Sequence, residues 1–347
     1  MTLVAPSIGV AGTSLLNGGA ILGWGLGIPS GVITNADLEA RLDTSDDWIV
    51  ERTGIRERRV VGEGESTATL AITAGAQAMA HAGLTAADID LLIIATATPD
   101  QQVPSTAAFV QDALGLRCGA FDLGAACSGF AYSLVVASSF LATGAVRHVL
   151  VIGSEVITRF LDPADRGTQI LFGDGAGAAV IGAAPDGAGL LAWDLGCDGS
   201  AATILEVPGG GRSMPATPET VAAGGQYLRM EGREVFRRAV RAVVDSATVT
   251  LERAGVTADD VDLFIPHQAN ARIVDAVLPR IGIPAEKTFM NVERFGNTSA
   301  ASIPIALAEA ADAGLIAEGD LVLLSGFGAG MTWATALLRW SRGAQSS

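Results

Sequence analysis

A cysteine, a histidine and an asparagine stand at positions of this 347-residue chain where covalent chemistry could be assembled. Cys127 follows a short apolar run and precedes apolar residues at helical spacing, so it is predicted to lie where a strand ends and a helix begins. Unpaired N–H groups and the helix dipole stabilise an anion there, so we expect this thiol to ionise more readily than a free cysteine. Cys127 is thus a candidate nucleophile. The alternative is an inert buried cysteine.

An internal duplication indicates how the chain positions these residues. Residues 82–92, AGLTAADIDLL, match residues 254–264, AGVTADDVDLF, at seven of eleven positions with an offset of 172. The same offset sets Cys127 opposite Ser299 and residues 149–152 opposite 321–324, and G-x-G-A-G occurs at 173–177 and 326–330. Each half has alternating strand and helix patterns that end in a Gly-rich hairpin. We predict two similar α/β halves, residues 19–185 and 186–347, after an N-terminal extension of residues 1–18.

The second half carries the other two candidates. His267 is predicted to end a buried strand where the first half has Ala95, and Asn297 precedes the helix that mirrors the Cys127 helix. A core or capping role would explain either residue alone. If a pseudo-two-fold axis relates the halves, however, both residues converge on Cys127.

Composition excludes several classes of protein. The net charge of −15, from 37 acidic and 22 basic residues, argues against nucleic-acid binding. Three widely spaced cysteines with no C-x-x-C suggest neither a disulfide framework nor a zinc site and fit a reducing cytosol, and the three histidines are too scattered for a metal site. No stretch approaches the roughly 20 apolar residues of a membrane span, and the N-terminus lacks the basic start of a signal peptide.

Smaller motifs in the first half give further expectations. The glycines of Gly23 to Gly27 do not match the dinucleotide fingerprint and are predicted to be turn residues. Asn35 and Ser45 are predicted to cap two short helices. On the second of these, Trp48 and Arg52 share one face and could hold a nucleotide base and a phosphate, or simply pack on the surface.

Two loop-like segments interrupt the duplication, at residues 159–172 and 196–227, and function usually differs between duplicated halves in such segments. A predicted helix from Gly232 to Arg253 then carries Arg233, Arg237 and Arg241 along one face. This face is either a local positive surface in an acidic protein or an ordinary solvated helix face.

Six motifs are distinctive: DTSDDWIVERTGIRER at 43–58, AACSGF at 125–130, DRGT at 165–168, FGDGAGAAV at 172–180, PHQANARI at 266–273 and GNTSAASIP at 296–304. Through these motifs the chain resembles, over roughly residues 19–340, the thiolase-fold condensing enzymes and specifically the β-ketoacyl-acyl carrier protein synthase III family. This resemblance implies a duplicated, five-layered αβαβα fold.

The resemblance also implies roles for particular residues. It implies a Cys127, His267 and Asn297 triad and an oxyanion hole formed by the backbone N–H groups of Cys127 and Ala329. Residues implied to contact coenzyme A are Trp48, Arg52, Arg166, Gly232 and Asn270. Residues implied to receive acyl carrier protein are Arg237 and Arg272, and those implied to line the acyl pocket are Val103 and Phe327.

The implied reaction is decarboxylative condensation. Cys127 takes the acyl group of an acyl-CoA, a malonyl thioester on the carrier protein loses CO₂, and the enolate attacks the acyl-cysteine. A neutral His267 and the Asn297 amide suit this reaction as hydrogen-bond donors to the enolate, and no metal or redox cofactor is required. The expected protein is a cytoplasmic homodimer that contacts neither membrane nor nucleic acid.

Two other functions stay open. One is a starter-unit condensing enzyme or acyltransferase of a polyketide or quinolone pathway, and the other is a non-catalytic partner subunit. The primer is also open: acetyl-restricted members of the family carry Phe where Val103 stands, so we expect a deeper pocket that favours a longer or branched primer.

Overall fold

The computed structural model describes residues 18–341, so the predicted extension lies outside the described residues except for Gly18. The strands are β1 Gly19–Gly27, β2 Gly31–Thr34, β3 Glu57–Val60, β4 Leu91–Ala95, β5 Gly119–Leu123, β6 His148–Glu155, β7 Gly175–Ala183, β8 Gly189–Cys197, β9 Leu205–Glu206, β10 Arg229–Met230, β11 Leu263–Pro266, β12 Leu321–Gly328 and β13 Thr332–Arg339. The α-helices are α1 Asn35–Glu39, α2 Asp46–Thr53, α3 Thr67–His81, α4 Thr106–Ala113, α5 Gly129–Ala142, α6 Arg166–Gln169, α7 Pro218–Ala222, α8 Gly232–Ala254, α9 Ala271–Ile281, α10 Val292–Phe295 and α11 Ser302–Asp312.

Two main sheets divide the strands in chain order. The first has the order β1-β7-β6-β4-β5, and all its strands precede residue 184. The second has the order β11-β12-β13-β8, and its strands begin at residue 189. In the first sheet β4 is parallel to β5 and β6 while β7 is antiparallel to β6, and in the second β11 is parallel to β12 while β13 is antiparallel to it.

Five layers result from the way the helices cover these sheets. Helices α5 and α11 lie between the sheets, where Phe130 and Leu134 of α5 share one core with Ile303 and Leu307 of α11. Both helices are apolar or small on nearly all sides because each faces protein all around. Helix α3 covers the outer face of the first sheet, and α8 with α9 covers the outer face of the second. The predicted five-layered αβαβα fold is confirmed.

The glycines predicted to form a turn lie inside β1, so that prediction is wrong. A Cβ on Gly23, Gly25 or Gly27 would overlap the backbone carbonyl oxygens of α3. The three glycines alternate along the strand and therefore point to the same face, which lets α3 pack directly on the strand backbone.

Strand pairing corrects the duplication register by one residue. Leu91 pairs with Val149 in the first sheet, and Leu263 pairs with Val322 in the second. The offset is therefore 172 for β4 and β11 but 173 for β6 and β12. The 3-10 turns that precede α5 and α11 start at residues 126 and 299, which also differ by 173.

The corrected register changes two predicted correspondences. Cys127 lies opposite Ala300, and Ser299 lies opposite Ala126. Ser299 and Ala126 both have a positive φ, of 50° and 46° respectively. The G-x-G-A-G motifs are not equivalent either. Residues 173–177 lead into β7, whereas 326–330 end β12.

The cap of α1 is also corrected. Thr34 caps α1, and Asn35 is a buried helix residue whose Nδ2 donates to Asp46 Oδ1 and to the carbonyl oxygen of Ile55. Ser45 caps α2 as predicted. Within residues 18–341 no helix is both long and apolar enough to cross a membrane.

Candidate active site

Cys127 lies in the 3-10 turn Ala126–Ser128, between the end of β5 and the start of α5, as predicted. The thiol is buried, with 7 % of the residue exposed, and its Sγ lies 3.4 Å from Ser299 Oγ. This contact joins the two halves of the chain. Ser299 contacts Cys127, Ser302 contacts His267, and Asn297 lies in the same segment, so residues 297–302 connect the three predicted residues.

The protonation state of Cys127 differs from the expectation. Burial raises the pKa of the thiol to about 12, the hydrogen bond with Ser299 lowers it only in part, and the charge of Glu155 raises it further. The position at a helix start does favour the thiolate. Loss of hydration dominates, so the resting residue is a thiol and the prediction of ready ionisation is wrong.

His267 follows β11 directly and is 3 % exposed. Its Nδ1 lies 2.9 Å from Ser302 Oγ, which also accepts a hydrogen bond from the Gln268 backbone N–H at 2.7 Å. Ser302 therefore has its own proton to donate to Nδ1, which leaves the proton of the neutral ring on Nε2. Burial lowers the pKa of His267 to about 3, so the ring is neutral at physiological pH.

The Nε2 atom of His267 is buried and has no hydrogen-bond partner among residues 18–341. The ring packs edge-on against Phe327, with centroids 5.4 Å apart. A neutral imidazole held on one nitrogen thus presents a donor on the other. That is the state expected of a group that stabilises an anion without giving up its proton.

Asn297 lies between α10 and the 3-10 turn Ser299–Ala301. Its backbone N–H donates to the carbonyl oxygen of Leu171, and its carbonyl accepts from the N–H of Gly173. The side-chain Oδ1 accepts from the Ser299 N–H at 2.9 Å. This bond fixes the amide so that Nδ2 is the atom available to donate to a ligand.

A cavity of about 170 Å³ opens beside the thiol. Cys127, Ser299 and Ala329 line it on the polar side, together with Thr98. Its apolar lining comes from the two segments that interrupt the duplication and from their borders: Ile157, Phe160, Phe172, Leu205, Val207 and Leu228. The sequence identified these segments as functional loops but did not identify these side chains.

The two residues predicted for the acyl pocket lie elsewhere in the single chain. Val103 is 83 % exposed, and Phe327 packs against His267; neither lines the cavity beside Cys127. Gly328, between Phe327 and Ala329, contacts the nucleophile segment so closely that a Cβ there would lie 2.6 Å from the Cys127 backbone nitrogen. This approach brings the backbone of Ala329 to the same cavity as Cys127.

The predicted nucleotide contacts form a cluster around Trp48. The guanidinium carbons of Arg52 and Arg166 lie 4.8 and 4.6 Å from the ring centroid. Arg166 also donates to the backbone oxygen of Asp43, so α6 is tied to the start of α2. The structure brings these three residues together, with both arginines exposed.

The remaining predicted contacts lie on α8 and α9, which pack against each other. Gly232 is the exposed first residue of α8, and Asn270 caps α9 by accepting from the Arg272 N–H at 2.9 Å. Arg272 and Arg237 are exposed, and Arg237 forms an ion pair of 2.7 Å with Glu234.

Comparison with known proteins supports one family. Residues 121–199 match the family described as 3-oxoacyl-[acyl-carrier-protein (ACP)] synthase III, and residues 251–340 match its C-terminal family. The β-ketoacyl-[acyl-carrier-protein] synthase III of Roseiflexus castenholzii is 51 % identical over 95 % of this chain and 100 % of its own length. The chain belongs to the β-ketoacyl-[acyl-carrier-protein] synthase III family.

Solved structures agree with this synthase III assignment. The 3-oxoacyl-[acyl-carrier-protein] synthase III of Aquifex aeolicus has a TM-score of 0.86 and 44 % identity over 93 % of this chain and 100 % of that one. The priming β-ketosynthase of the R1128 polyketide pathway has the same TM-score with 35 % identity over 96 % and 99 %. The predicted family, fold and class of acyl-transferring condensing enzyme are confirmed for this synthase.

Proposed function

We propose that this synthase condenses an acyl-CoA primer with malonyl-acyl carrier protein, with loss of CO₂, and so starts fatty-acid synthesis. The observation that carries the proposal is the arrangement at the segment from 297 to 302. It joins a thiol beside an apolar cavity to a buried, neutral histidine whose Nε2 has no hydrogen-bond partner within residues 18–341. Membership of the family supports the same reaction.

In the proposed acylation, Cys127 Sγ attacks the thioester carbonyl of the primer. The oxyanion that forms accepts hydrogen bonds from the backbone N–H groups of Cys127 and Ala329, and the apolar cavity holds the acyl chain. Coenzyme A leaves with the proton that the thiol gave up. The Trp48 cluster, with Gly232 and Asn270, is our proposed contact for the coenzyme A chain.

In the proposed condensation, the malonyl thioester loses CO₂ and its electrons form an enolate. The Nε2–H of His267 and the Nδ2–H of Asn297 donate to the enolate oxygen. Neither group is acidic enough to protonate the enolate carbon. That carbon attacks the acyl-Cys127 carbonyl, and the cysteine leaves to give the β-ketoacyl product; these steps call on protein groups and thioester substrates alone.

We further propose a homodimer, in the cytoplasm. Strand β5 is an edge of the first sheet and is only half-buried, and nearby Phe109 is 42 % exposed and Val103 83 % exposed. An open strand edge beside exposed apolar side chains suits pairing with a second copy. Arg237 and Arg272 are the proposed docking residues for the acidic carrier protein.

A priming role in a polyketide pathway is the second candidate function, favoured by the likeness to the R1128 ketosynthase. Both functions use the same chemistry, so the products distinguish them. Mass spectrometry of products from a panel of acyl-CoAs with malonyl carrier proteins of both pathway types would identify the preferred pair.

Acyl labelling tests the nucleophile. Incubation with a reactive acyl-CoA should add one acyl mass to the peptide that contains Cys127, and C127S should abolish the label. The matched control is C118S, which removes a half-buried cysteine at the start of β5 and should label as the wild type does. Label that survives C127S would overturn the assignment.

A further inference from the structure

A carboxylate that the proposed chemistry does not use lies one hydroxyl away from the nucleophile. Glu155 is the last residue of β6 and is 0 % exposed. Hydrogen bonds hold it, and no basic side chain among residues 18–341 pairs with it. Burying a carboxylate without a cationic partner costs folding free energy, so we expect Glu155 to have a chemical role.

The partners of Glu155 are those of an ionised acid. The backbone N–H groups of Ala97 and Ala300 donate to it at 3.1 and 3.4 Å, and the hydroxyl of Thr98 donates at 2.5 Å. The Thr98 oxygen itself accepts from the Val156 N–H, so its proton is directed at the carboxylate. The two backbone N–H groups can only donate, and the Thr98 hydroxyl is directed to donate, so all three suit an ionised carboxylate, which can only accept.

Ser299 connects this carboxylate to the thiol. Its hydroxyl donates to Glu155 Oε1 at 2.8 Å, so the lone pairs of Oγ are the part left for the S–H of Cys127, 3.4 Å away. Ser299 has φ +50°, a backbone conformation that is strained for any residue with a Cβ. Its N–H bond to Asn297 helps to hold it there.

Comparison of the two halves shows that this connection is one-sided. At offset 173, Ser299 corresponds to Ala126, which has the same positive φ and no hydroxyl. Glu155 corresponds to Gly328, which has no side chain. Of these two pairs of equivalent positions, the hydroxyl and the carboxylate occur only at 299 and 155, the pair that is connected to the Cys127 thiol.

We propose that Ser299 and Glu155 form a proton relay that deprotonates Cys127 during acylation; this deepens the proposed function and rests on it. Cys127 gives its proton to Ser299 Oγ while the Ser299 proton moves to Glu155 Oε1. The products are a thiolate, a serine hydroxyl and a neutral carboxyl group. After attack on the thioester, the proton returns through Ser299 to the thiolate of the departing coenzyme A.

His267 is the other base within the site, but its contacts make it less suitable for deprotonating Cys127. Nδ1 is bound to Ser302, and burial makes the ring a weak base, with a pKa lowered to about 3. Burial raises the pKa of Glu155, which strengthens it as a base. No charged side chain comes from the residues that surround Glu155, which are 96–98, 156 and 299–300. The carboxylate of Asp174 accepts hydrogen bonds from the Thr158 hydroxyl and the Val61 N–H instead.

The test measures how fast Cys127 reacts as a function of pH. Wild type, S299A and E155Q are treated with iodoacetamide and, separately, with acyl-CoA between pH 5 and pH 10, and intact mass follows modification of Cys127. Loss of a general base should slow both reactions about 100-fold at pH 7 in either variant. The deficit should shrink as pH rises, because direct ionisation of the thiol then replaces the relay.

A matched control separates the relay from the loss of any buried carboxylate. D174N removes an equally buried carboxylate that contacts neither Cys127 nor Ser299 and should keep the wild-type pH profile. Should E155Q fail to fold, S299A still tests the relay, because it keeps the carboxylate and removes the connection. Variant profiles that run parallel to the wild-type profile at every pH would overturn the proposal.

The two reagents also separate this inference from the proposed function. Wild type that reacts with iodoacetamide but with no acyl-CoA would contradict the proposed function while the iodoacetamide profiles still report on the relay. Wild type that is acylated while S299A is acylated at the same rate would contradict the relay alone.

Discussion

At the scale of the residue, each group of the site is positioned by a small polar neighbour, while burial sets the protonation states of Cys127 and His267. Ser299 contacts the thiol of Cys127, Ser302 sets the proton position on His267, and the Ser299 N–H orients Asn297. These neighbours are uncharged, so the site keeps a neutral imidazole and an amide as donors. Such donors stabilise an enolate through hydrogen bonds and do not protonate it.

The amide of Asn297 provides the first prediction. N297A should still be acylated at Cys127, because the proposed role of the amide is at the enolate, while malonyl decarboxylation should fall by about two to three orders of magnitude, the usual cost of losing an oxyanion donor. Acyl transfer followed by mass, and ¹⁴CO₂ release from labelled malonyl carrier protein, measure the two half-reactions. An equal loss in both would contradict the assigned role.

Burial of His267 predicts how stability depends on pH. The folded pKa is lowered to about 3 from 6.5, so the unfolded chain binds a proton that the folded chain does not. The free energy of unfolding therefore keeps its full value above pH 6.5. It falls by about 1.4 kcal/mol per pH unit as the pH drops from there toward 3. Denaturant unfolding of wild type and H267Q from pH 7 to pH 4 measures it. A difference between the two that stays constant with pH would contradict a neutral, buried ring.

At the scale of the element, α8 and α9 carry the proposed docking surface for the carrier protein. Arg237 is neutralised in part by its ion pair with Glu234, whereas Arg272 has no ion pair among the described residues. Arg238 of the same helix is held by Glu234 and Asp198. Among the described residues, Arg272 and the exposed stripe residues Arg233 and Arg241 therefore keep unpaired positive charge, whereas Arg237 of the stripe is partly neutralised.

Charge reversal tests this surface. R272E should raise the KM for malonyl carrier protein and weaken its salt dependence more than R237E does, with the kinetics of acyl-CoA acylation unchanged. The matched control is R280E, which makes the same charge change at the exposed C-terminal end of α9. Steady-state kinetics between 20 and 300 mM salt measure the effect. Equal shifts in all three variants would show that net charge alone is responsible.

At the scale of the whole molecule, the predicted pocket residue and the observed cavity lie in different places. Val103 is exposed in the single chain, while the cavity beside Cys127 is lined by loop residues such as Phe160 and Phe172. We propose that pairing of β5 with a second copy would bring Val103 to the partner's cavity. The primer preference would then depend on the assembly.

Primer kinetics test this view of the assembly. V103F should shift kcat/KM toward acetyl-CoA and away from octanoyl-CoA, because each buried CH₂ of primer that the ring excludes is worth up to ~0.8 kcal/mol. Sedimentation should show a dimer for both wild type and variant. F172A, which enlarges the cavity within one chain, is the comparison and should favour the longer primer. A wild type that already prefers acetyl-CoA would contradict the deeper pocket.

The sequence by itself determined the family and the layered α/β fold, and it supplied the three candidate residues of the site. Local motifs and periodicity indicate those features. AACSGF precedes a helical pattern, PHQANARI follows a predicted strand, and GNTSAASIP precedes the mirrored helix. Local patterns carry such information because they depend on neighbours a few residues away. The one-residue slip in the duplication and the strand glycines of β1 show where pattern alone gave the wrong placement.

Only the tertiary structure decided the state of those residues. Cys127 is a thiol and not a ready thiolate because the fold buries it and sets Ser299, 172 positions away, against its sulfur. The sequence pattern did not identify Glu155 as a functional residue. Yet it is a polar residue at the end of an apolar strand, which is the pattern that identified His267. Burial and contacts between distant segments set the pKa values and proton positions, and neither quantity is present in the order of residues along the chain.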